Sequence, residues 1–201
     1  MSTPTDIRDR EPYPVEQFDV KETYRSDLDG ILISRDEIRD EVARMARDIA
    51  EDYRTNADFY PVCILKGAMR FFVDLNRELD LEVPYSEGIV HTERYQDGTA
   101  SKTTGVEFFQ EEAIAGKDVL FVEDIVDEGY TVAALRDRIE KYDPRSVEVA
   151  TLFDKAANRE VEIDPTYTGF VIPDEFVVGY GLDFGERYRD LQHLGVVETD
   201  G

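Results

Sequence analysis

The sequence contains a single cysteine and no long apolar run. Cys63 lies inside the apolar segment YPVCIL, so no intramolecular disulfide can form, and we expect a buried structural thiol in a reducing cytoplasm. No apolar stretch approaches the roughly 18 residues of a membrane span. The first residues, MSTPTDIRDREPYPVEQ, lack the hydrophobic core of a signal peptide. These absences predict a cytoplasmic protein whose residues 1–20 form a polar, loosely held tail.

Positive charge is also scarce. The chain has 23 Lys and Arg residues against 46 Asp and Glu residues, which gives a formal net charge of −23. Such a surface repels phosphate backbones and anionic lipids, so neither nucleic acid nor membrane is an expected partner. Because salt shortens the Debye length to roughly 3 Å at 1 M and so weakens self-repulsion, we hypothesise a salt-rich cytoplasm.

The remaining composition is that of one folded domain over residues 21–201, with 41% hydrophobic residues. Apolar residues at helical spacing predict a helix after Ser34, and Ser34 with Glu37 resembles a capping box. Further helices are predicted over 66–79 and 131–142, and a mobile loop over 93–107. The strand candidates are ILIS (31–34), YPVCIL (60–65), SEGIVH (86–91), VLFV (119–122), SVEVATLF (146–153), TGFVI (168–172), FVVGY (176–180) and LGVV (194–197). Strands alternating with helices predict an α/β fold with a mostly parallel sheet.

A cluster of acids follows the strand VLFV. Its members are Glu123, Asp124, Asp127 and Glu128. In a parallel sheet, ligands bind at the carboxyl ends of the strands. Gly129 then makes a tight turn and Thr131 opens a helix, whose free amide groups favour a phosphate. Since the chain has no GxxxxGK[ST] loop, the pattern indicates a sugar phosphate and not a P-loop nucleotide site.

At these residues the sequence resembles a known family. VLFVEDIVDEGYT is similar to the phosphoribosyl-diphosphate (PRPP) signature of the type I phosphoribosyltransferases. Four further segments resemble the hypoxanthine–guanine branch: ILKGA (64–68), RYQDGTASKTTG (94–105), LFDKA (152–156) and GFVIPDEFVVGYGLDFGERYRDL (169–191). The resemblance implies a sheet flanked by helices, with a small hood formed by the N- and C-terminal segments. It also implies transfer of ribose 5-phosphate from PRPP to a purine base with magnesium, giving a nucleotide and pyrophosphate, in a homodimer or homotetramer.

The resemblance assigns roles to the acid cluster. Glu123 and Asp124 are expected to hold the ribose hydroxyls and to orient magnesium. Asp127 is expected to manage a proton beside N7 of the base, as the catalytic residue. Gly129 and Thr131 are expected to bind the 5-phosphate of PRPP.

Other roles fall on the flanking segments. The pyrophosphate-binding residues are expected to be Leu65, Lys66, Gly67 and Arg189, with the Leu65–Lys66 peptide cis, as is frequent in the family. Asp183 is expected to be a direct magnesium ligand. The purine-binding residues are expected to be Lys155 at the C6 oxygen, Phe176 stacking on the ring and the backbone of Val177.

The chain departs from the family at two places. A lid over 94–105 is expected to carry Arg94 and Tyr95, where a Ser-Tyr pair is usual. Glu128 stands where the family has a Thr or Ser hydroxyl for the phosphate. The sequence therefore leaves two alternatives open, a xanthine- or adenine-preferring transferase and a weakly catalytic regulator that senses PRPP or nucleotides.

Overall fold

A computed structural model describes residues 2–96, 102–108 and 110–197. It contains four α-helices within those ranges: α1 (Glu22–Arg25), α2 (Arg35–Tyr53), α3 (Met69–Glu78) and α4 (Tyr130–Ile139). Its strands are β1 (Thr5–Asp6), β2 (Gly30–Ile33), β3 (Phe59–Leu65), β4 (Gly88–Gln96), β5 (Lys102–Phe108), β6 (Asp118–Val126), β7 (Ser146–Asp154), β8 (Tyr167–Val171), β9 (Val177–Val178) and β10 (Leu194–Val196).

The main sheet has seven strands in the order β1-β8-β7-β6-β3-β4-β5. Every neighbouring pair is parallel except β4 and β5. Strand β6 is central, with Val122 paired to Cys63 of β3 and to Ala150 of β7. The carboxyl ends of β3, β6 and β7 therefore meet at one edge of the sheet, as the sequence predicted.

Both faces of the sheet are covered because successive strand residues point to opposite sides. In β6, Leu120 and Val122 join the core that includes α2 and α3 residues. Val119 and Phe121 join a second core with Val132 of α4. Helix α2 begins at the predicted capping box, since Ser34 accepts from the Glu37 amide and the Glu37 side chain accepts from the Ser34 amide.

A small antiparallel sheet, β2-β10-β9, forms the hood from segments near both chain ends. Its core includes Val178, Leu191 and Val197. His193 is buried there, and its Nδ1 atom accepts a hydrogen bond from the Arg35 amide at 3.0 Å, a structural contact at the start of α2.

Residues 2–20 are packed rather than loosely held. Strand β1 pairs in parallel with β8, Tyr13 bridges Ile31, and Ile7 and Val15 are buried. The polar composition of this segment concealed its few apolar residues, which supply the contacts that hold it.

Two further segments differ from the sequence prediction. The segment 93–107, expected to be a loop, lies largely in the antiparallel strands β4 and β5. The prediction was wrong because it relied on the Gly, Ser and Thr residues, whereas an edge strand is decided by hydrogen-bonded pairing with its neighbour. Strand β6 does not stop at Val122 but continues through Glu123 and Asp124 to Val126. No helix within 2–96, 102–108 and 110–197 is both long and apolar enough to cross a bilayer.

Candidate active site

The buried acids lie at the carboxyl end of β6. Glu123 and Asp124 are 7% and 5% exposed, although carboxylates are rarely buried to this degree without a partner. Burial raises the pKa of Asp124, while a hydrogen bond shared with Glu123, the amide of Ile125 at 2.9 Å and the charge of Arg189 act in the opposite direction. Two adjoining acids at low exposure make a strong site for a cation or for hydroxyl donors.

A tight turn follows these acids. Gly129 has φ +97°, a conformation that side chains rarely tolerate, and it caps the start of α4. The Ala133 amide donates to the Gly129 carbonyl at 3.1 Å as the first helical bond. The Thr131 amide lies before this first helical bond, in the turn where the N–H groups of a helix point toward an incoming anion.

Asp127 and Lys155 face each other across the ends of β6 and β7. The Lys155 ammonium lies 3.7 Å from Asp127 Oδ2 and 3.9 Å from Asp174 Oδ1. Lys155 is buried, and its amide donates to the Val126 carbonyl at 3.0 Å. Within the described residues, the buried Oδ1 atom of Asp127 has no hydrogen-bond partner. A buried acceptor of this kind is suited to a polar ligand atom.

The loop after β3 packs against the acids. The Leu65–Lys66 peptide bond is cis, which confirms the expectation drawn from the family. A Cβ atom on Gly67 would lie 1.7 Å from Asp124 Oδ2, so any other residue here would require the buried Asp124 side chain to move. Lys66 extends from the loop with its ammonium 3.2 Å from Glu186 Oε2.

Arg189 lies on the same side as this loop. Its Nη2 atom is 2.7 Å from Asp183 Oδ1 and 3.2 Å from Glu186 Oε1, and its Nη1 atom donates to the Gly181 carbonyl at 2.8 Å. Asp183 also accepts from the Glu186 amide at 2.9 Å. The Glu186 carboxylate therefore joins Lys66 and Arg189, the two basic residues predicted to bind pyrophosphate.

The predicted base-stacking residue lies on the surface. Phe176 is 40% exposed and packs edge-on against Phe184, with ring centroids 5.3 Å apart. Val177 is buried in β9, and the Phe176 carbonyl accepts from Val197 at 3.0 Å. Asp174, two residues earlier, approaches Lys155, so this segment borders the Asp127–Lys155 pair. An exposed aromatic ring beside a polar pair is typical of a ligand platform.

The comparisons with known proteins agree with this geometry. A model of the family described as "Phosphoribosyl transferase domain" matches residues 34–185. This chain belongs to the phosphoribosyltransferase family. The match includes the acid cluster, the loop after β3 and Asp183, while Arg189 lies just beyond it.

Individual relatives cover the chain to different extents. A bifunctional protein TilS/HprT of Listeria monocytogenes serotype 4b is 38% identical over 183 residues, 89% of this chain but 27% of that protein. This chain therefore spans about a quarter of that relative. A hypoxanthine-guanine phosphoribosyltransferase of Streptococcus pneumoniae is 39% identical over 178 residues, 87% of this chain and 96% of that protein. The crystal structure of a hypoxanthine phosphoribosyltransferase from Staphylococcus aureus has a TM-score of 0.81 at 31% identity, covering 90% of this chain and 97% of that one.

The segment 94–105, expected to form a lid, is described only in part. The backbone of Arg94 and Tyr95 belongs to β4, where they pair with Thr104 and Thr103 of β5. Their side chains, and residues 97–101 between the two strands, lie outside the described residues. The roles expected for Arg94 and Tyr95 stay predictions.

The donor chemistry of this phosphoribosyltransferase fits magnesium. The described residues contain no group of three or more potential ligands arranged to hold a metal by themselves. Magnesium is commonly held by one or two carboxylates together with substrate phosphates and waters, so a full protein cage is not required. Asp183, Glu123 and Asp124 offer oxygen ligands, and the raised pKa of buried Asp124 is what a cation nearby would offset.

Two residues of the site were missed from the sequence. Glu186 places one carboxylate between Lys66 and Arg189. In the sequence, only its position three residues before Arg189 indicated this ion pair. Arg159 contacts Asp154 and the backbone of Asp127, which no pattern in the sequence indicated. Both contacts depend on tertiary structure.

Proposed function

We propose that the protein transfers ribose 5-phosphate from PRPP to N9 of hypoxanthine or guanine, with release of pyrophosphate and formation of IMP or GMP. The observation that carries the proposal is the pair formed by buried Lys155 and partly exposed Asp127 at the ends of β6 and β7, with an ammonium-to-carboxylate distance of 3.7 Å. A fixed cationic donor beside a carboxylate with a buried open oxygen complements an oxo group at C6 and N7 of one purine ring. The names of the relatives from Streptococcus and Staphylococcus support the same substrates.

Base selection follows from hydrogen-bond polarity. Lys155 can only donate, so it favours the C6 oxygen of hypoxanthine, guanine or xanthine over the amino group of adenine. Phe176 is proposed to stack on the purine, and the backbone of Val177 to read its edge. Because such backbone contacts at C2 set the choice among oxopurines, a preference for xanthine is the alternative that a base panel tests.

The acids of β6 are proposed to hold the ribose. Glu123 and Asp124 accept hydrogen bonds from its hydroxyls, while the amides of the turn at Gly129 and the hydroxyl of Thr131 bind the 5-phosphate. As the bond from C1′ to pyrophosphate breaks, positive charge develops on the ribose ring. Carboxylates already fixed at low exposure favour that charge without reorganising.

Pyrophosphate is proposed to bind across Leu65, Lys66 and Gly67, with Arg189 as a clamp. Lys66 and Arg189 supply positive charge in a protein of net charge −23, and each must exchange Glu186 for the incoming anion. Asp183, with Glu123 and Asp124 oriented nearby, is proposed to hold magnesium. Magnesium when bound supplies charge neutralisation on the pyrophosphate oxygens.

Asp127 is proposed to manage the proton of the base while N9 attacks C1′. The acid is proposed to lie beside N7 of the bound base, 3.7 Å from the Lys155 ammonium, where it can accept a proton that leaves the ring. The lid with Arg94 and Tyr95 is proposed to exclude water, which otherwise captures the ribosyl cation. Nucleotide formation then depends on positioning and electrostatics.

The test is product formation from PRPP and magnesium with hypoxanthine, guanine, xanthine or adenine in separate reactions, at low and high salt. IMP and GMP with released pyrophosphate are expected, with much slower reaction of adenine. XMP as the dominant product supports the xanthine alternative. Absence of nucleotide with every base contradicts the proposal and favours a PRPP-sensing regulator. The oligomer, proposed to be a homodimer or homotetramer, is measured by light scattering on the same preparation.

A further inference from the structure

The turn that carries Asp127 is held by a second segment, Arg159–Val161. Arg159 donates from Nη1 to the backbone carbonyl of Asp127. The amides of Glu160 and Val161 both donate to the Glu128 carbonyl, at 3.0 and 3.1 Å. The backbone of the turn is therefore fixed by contacts from outside β6 and α4.

Arg159 also binds the end of the neighbouring strand. Its Nη2 atom donates to Oδ1 of Asp154, the last residue of β7. Both side chains are largely buried, at 15% and 10% exposure, so this ion pair is shielded from solvent. Burial raises the pKa of Asp154 and Arg159 opposes that effect, as expected for a charge compensated inside the protein.

The two contacts of Arg159 join the groups proposed to read the base. Asp154 directly precedes Lys155, and Asp127 directly follows Val126, which is the register partner of Asp154. One guanidinium thus connects the peptide at Asp127 to the residue before Lys155. Its planar fork fixes both acceptors at once, a geometry that a lysine cannot reproduce.

We propose that Arg159 is a positioning residue, which fixes the Asp127 carboxylate relative to the Lys155 ammonium by bridging the Asp127 carbonyl and the Asp154 carboxylate. This inference rests on the proposed function, since Asp127 is the residue whose placement is at issue. In this proposal Arg159 acts through Asp127 and Asp154 and not by touching a substrate. Small displacements of a reacting group lower the rate of chemistry more than they weaken binding.

The first variant is Arg159→Met, which retains the length of the side chain and removes its donors. We expect kcat with hypoxanthine to fall about 10- to 100-fold, while KM for PRPP stays near the wild-type value. In Arg159→Lys the ammonium can reach only one of the two acceptors at a time, so kcat should lie between the values of wild type and Arg159→Met. An unchanged kcat in folded Arg159→Met overturns the proposal.

A matched control lies at the opposite end of the sheet. Arg145 pairs with Asp118, the first residue of β6, much as Arg159 pairs with Asp154 at the end of β7. Arg145→Met should lower the melting temperature and leave kcat near the wild-type value. An equal fall in kcat for Arg145→Met and Arg159→Met makes the effect one of general stability and overturns the proposal.

A third comparison separates positioning from charge compensation. Arg159→Met leaves Asp154 as an uncompensated buried charge, and the double variant Arg159→Met/Asp154→Asn removes that charge. We expect the double variant to recover stability but not kcat, since the Asp127 carbonyl still lacks its donor. Recovery of kcat in the double variant shows that Arg159 acts only through Asp154 and overturns the proposal. If Arg159→Met does not fold, the double variant against Asp154→Asn carries the test.

The outcome is distinct from a failure of the proposed function. Wild-type protein that forms no nucleotide with any base contradicts the function. Wild-type protein that forms IMP, with all Arg159 variants equally active, contradicts only the positioning role.

Discussion

Strand β6 carries a buried carboxylate near each end, and the pKa values of these two carboxyl groups are shifted in opposite directions. Asp118 and Asp124 have almost the same exposure, 8% and 5%. At the first end, hydrogen bonds from Arg145, Asn56 and Ser146 hold the pKa of Asp118 well below its usual range. At the second end, burial raises the pKa of Asp124, which shares a hydrogen bond with another acid, Glu123. Burial alone therefore does not separate a structural acid from a functional one.

The partners make the difference. Asp118 receives a guanidinium, an amide and a hydroxyl from its own chain, so its charge is already compensated and it ties β6 to its neighbours. Asp124 lies where a positive charge is supplied only in part, by Arg189 at some distance. A perturbed pKa at the carboxyl end of a parallel strand is a marker of function, while a similar burial at the amino end is a marker of stability.

The largest expected effect comes from removing the acid at the functional end. Asp127→Asn should lower kcat by about 10²–10⁴-fold, because the amide cannot accept the proton of the base. Steady-state assays of IMP formation measure this, with Asp118→Asn as the matched control of the same chemical change at the other end of β6. Near-normal turnover in Asp127→Asn removes this residue from the mechanism.

A smaller effect, opposite in sign at the two ends, is expected on stability. Asp118→Asn should lower the free energy of unfolding by about 1–3 kcal/mol, because the hydrogen-bond donors around Asp118 lose a charged acceptor. The lower end of that range is expected because Arg145, the main partner, is half-exposed. Asp124→Asn should stabilise the protein in the absence of magnesium, because it removes a buried charge, and should lower activity. Urea melts with a chelator measure both. Destabilisation by both variants contradicts the comparison.

The pH dependence of these stability differences should also be opposite. The pKa of Asp118 is lowered in the folded state, so its contribution is full above the unfolded value of about 3.9 and is lost as pH falls below it. The pKa of Asp124 is raised, so the folded state binds more protons and its penalty grows as pH rises above about 4. Each variant is melted beside wild type from acid to neutral pH. The stability lost in Asp118→Asn should shrink in acid, and the stability gained in Asp124→Asn should appear only at higher pH. Parallel curves contradict the assignment.

Local patterns in the sequence predicted those parts of the fold and site that depend on neighbours along the chain. Helix α2 and its capping box, with Ser34 and Glu37, could be predicted because three-residue spacing is a local property. The acid cluster could be placed at a strand end for the same reason. The expected roles of the site residues themselves stay predictions, although the structure brings Asp127 to Lys155 and Lys66 to Arg189.

Long-range contacts account for what the sequence did not predict. The start of β4 was predicted as a strand, but its outer part and β5, within 93–107, were predicted as a loop, since polar residues carry no signal for edge pairing. The packing of residues 2–20 depends on β8 and β2, which are distant in sequence. Arg159 is separated by 32 residues from the carbonyl that it holds. No local pattern can indicate such a pair, and only the register of β6 with β7 creates it.

Salt should produce the smallest effect and still separate the two ends. Arg145 has 49% side-chain exposure, so salt at about 1 M, with a Debye length of roughly 3 Å, should reduce the loss caused by Asp118→Asn. The gain from Asp124→Asn should change little, because buried charges are screened much less. Wild-type protein should itself become more stable as salt relieves the repulsion of its −23 charge. Thermal melts of wild type, Asp118→Asn and Asp124→Asn in low and high KCl measure these effects. A lower melting temperature of wild type in high KCl rules out a salt-rich cytoplasm as the origin of this acidity.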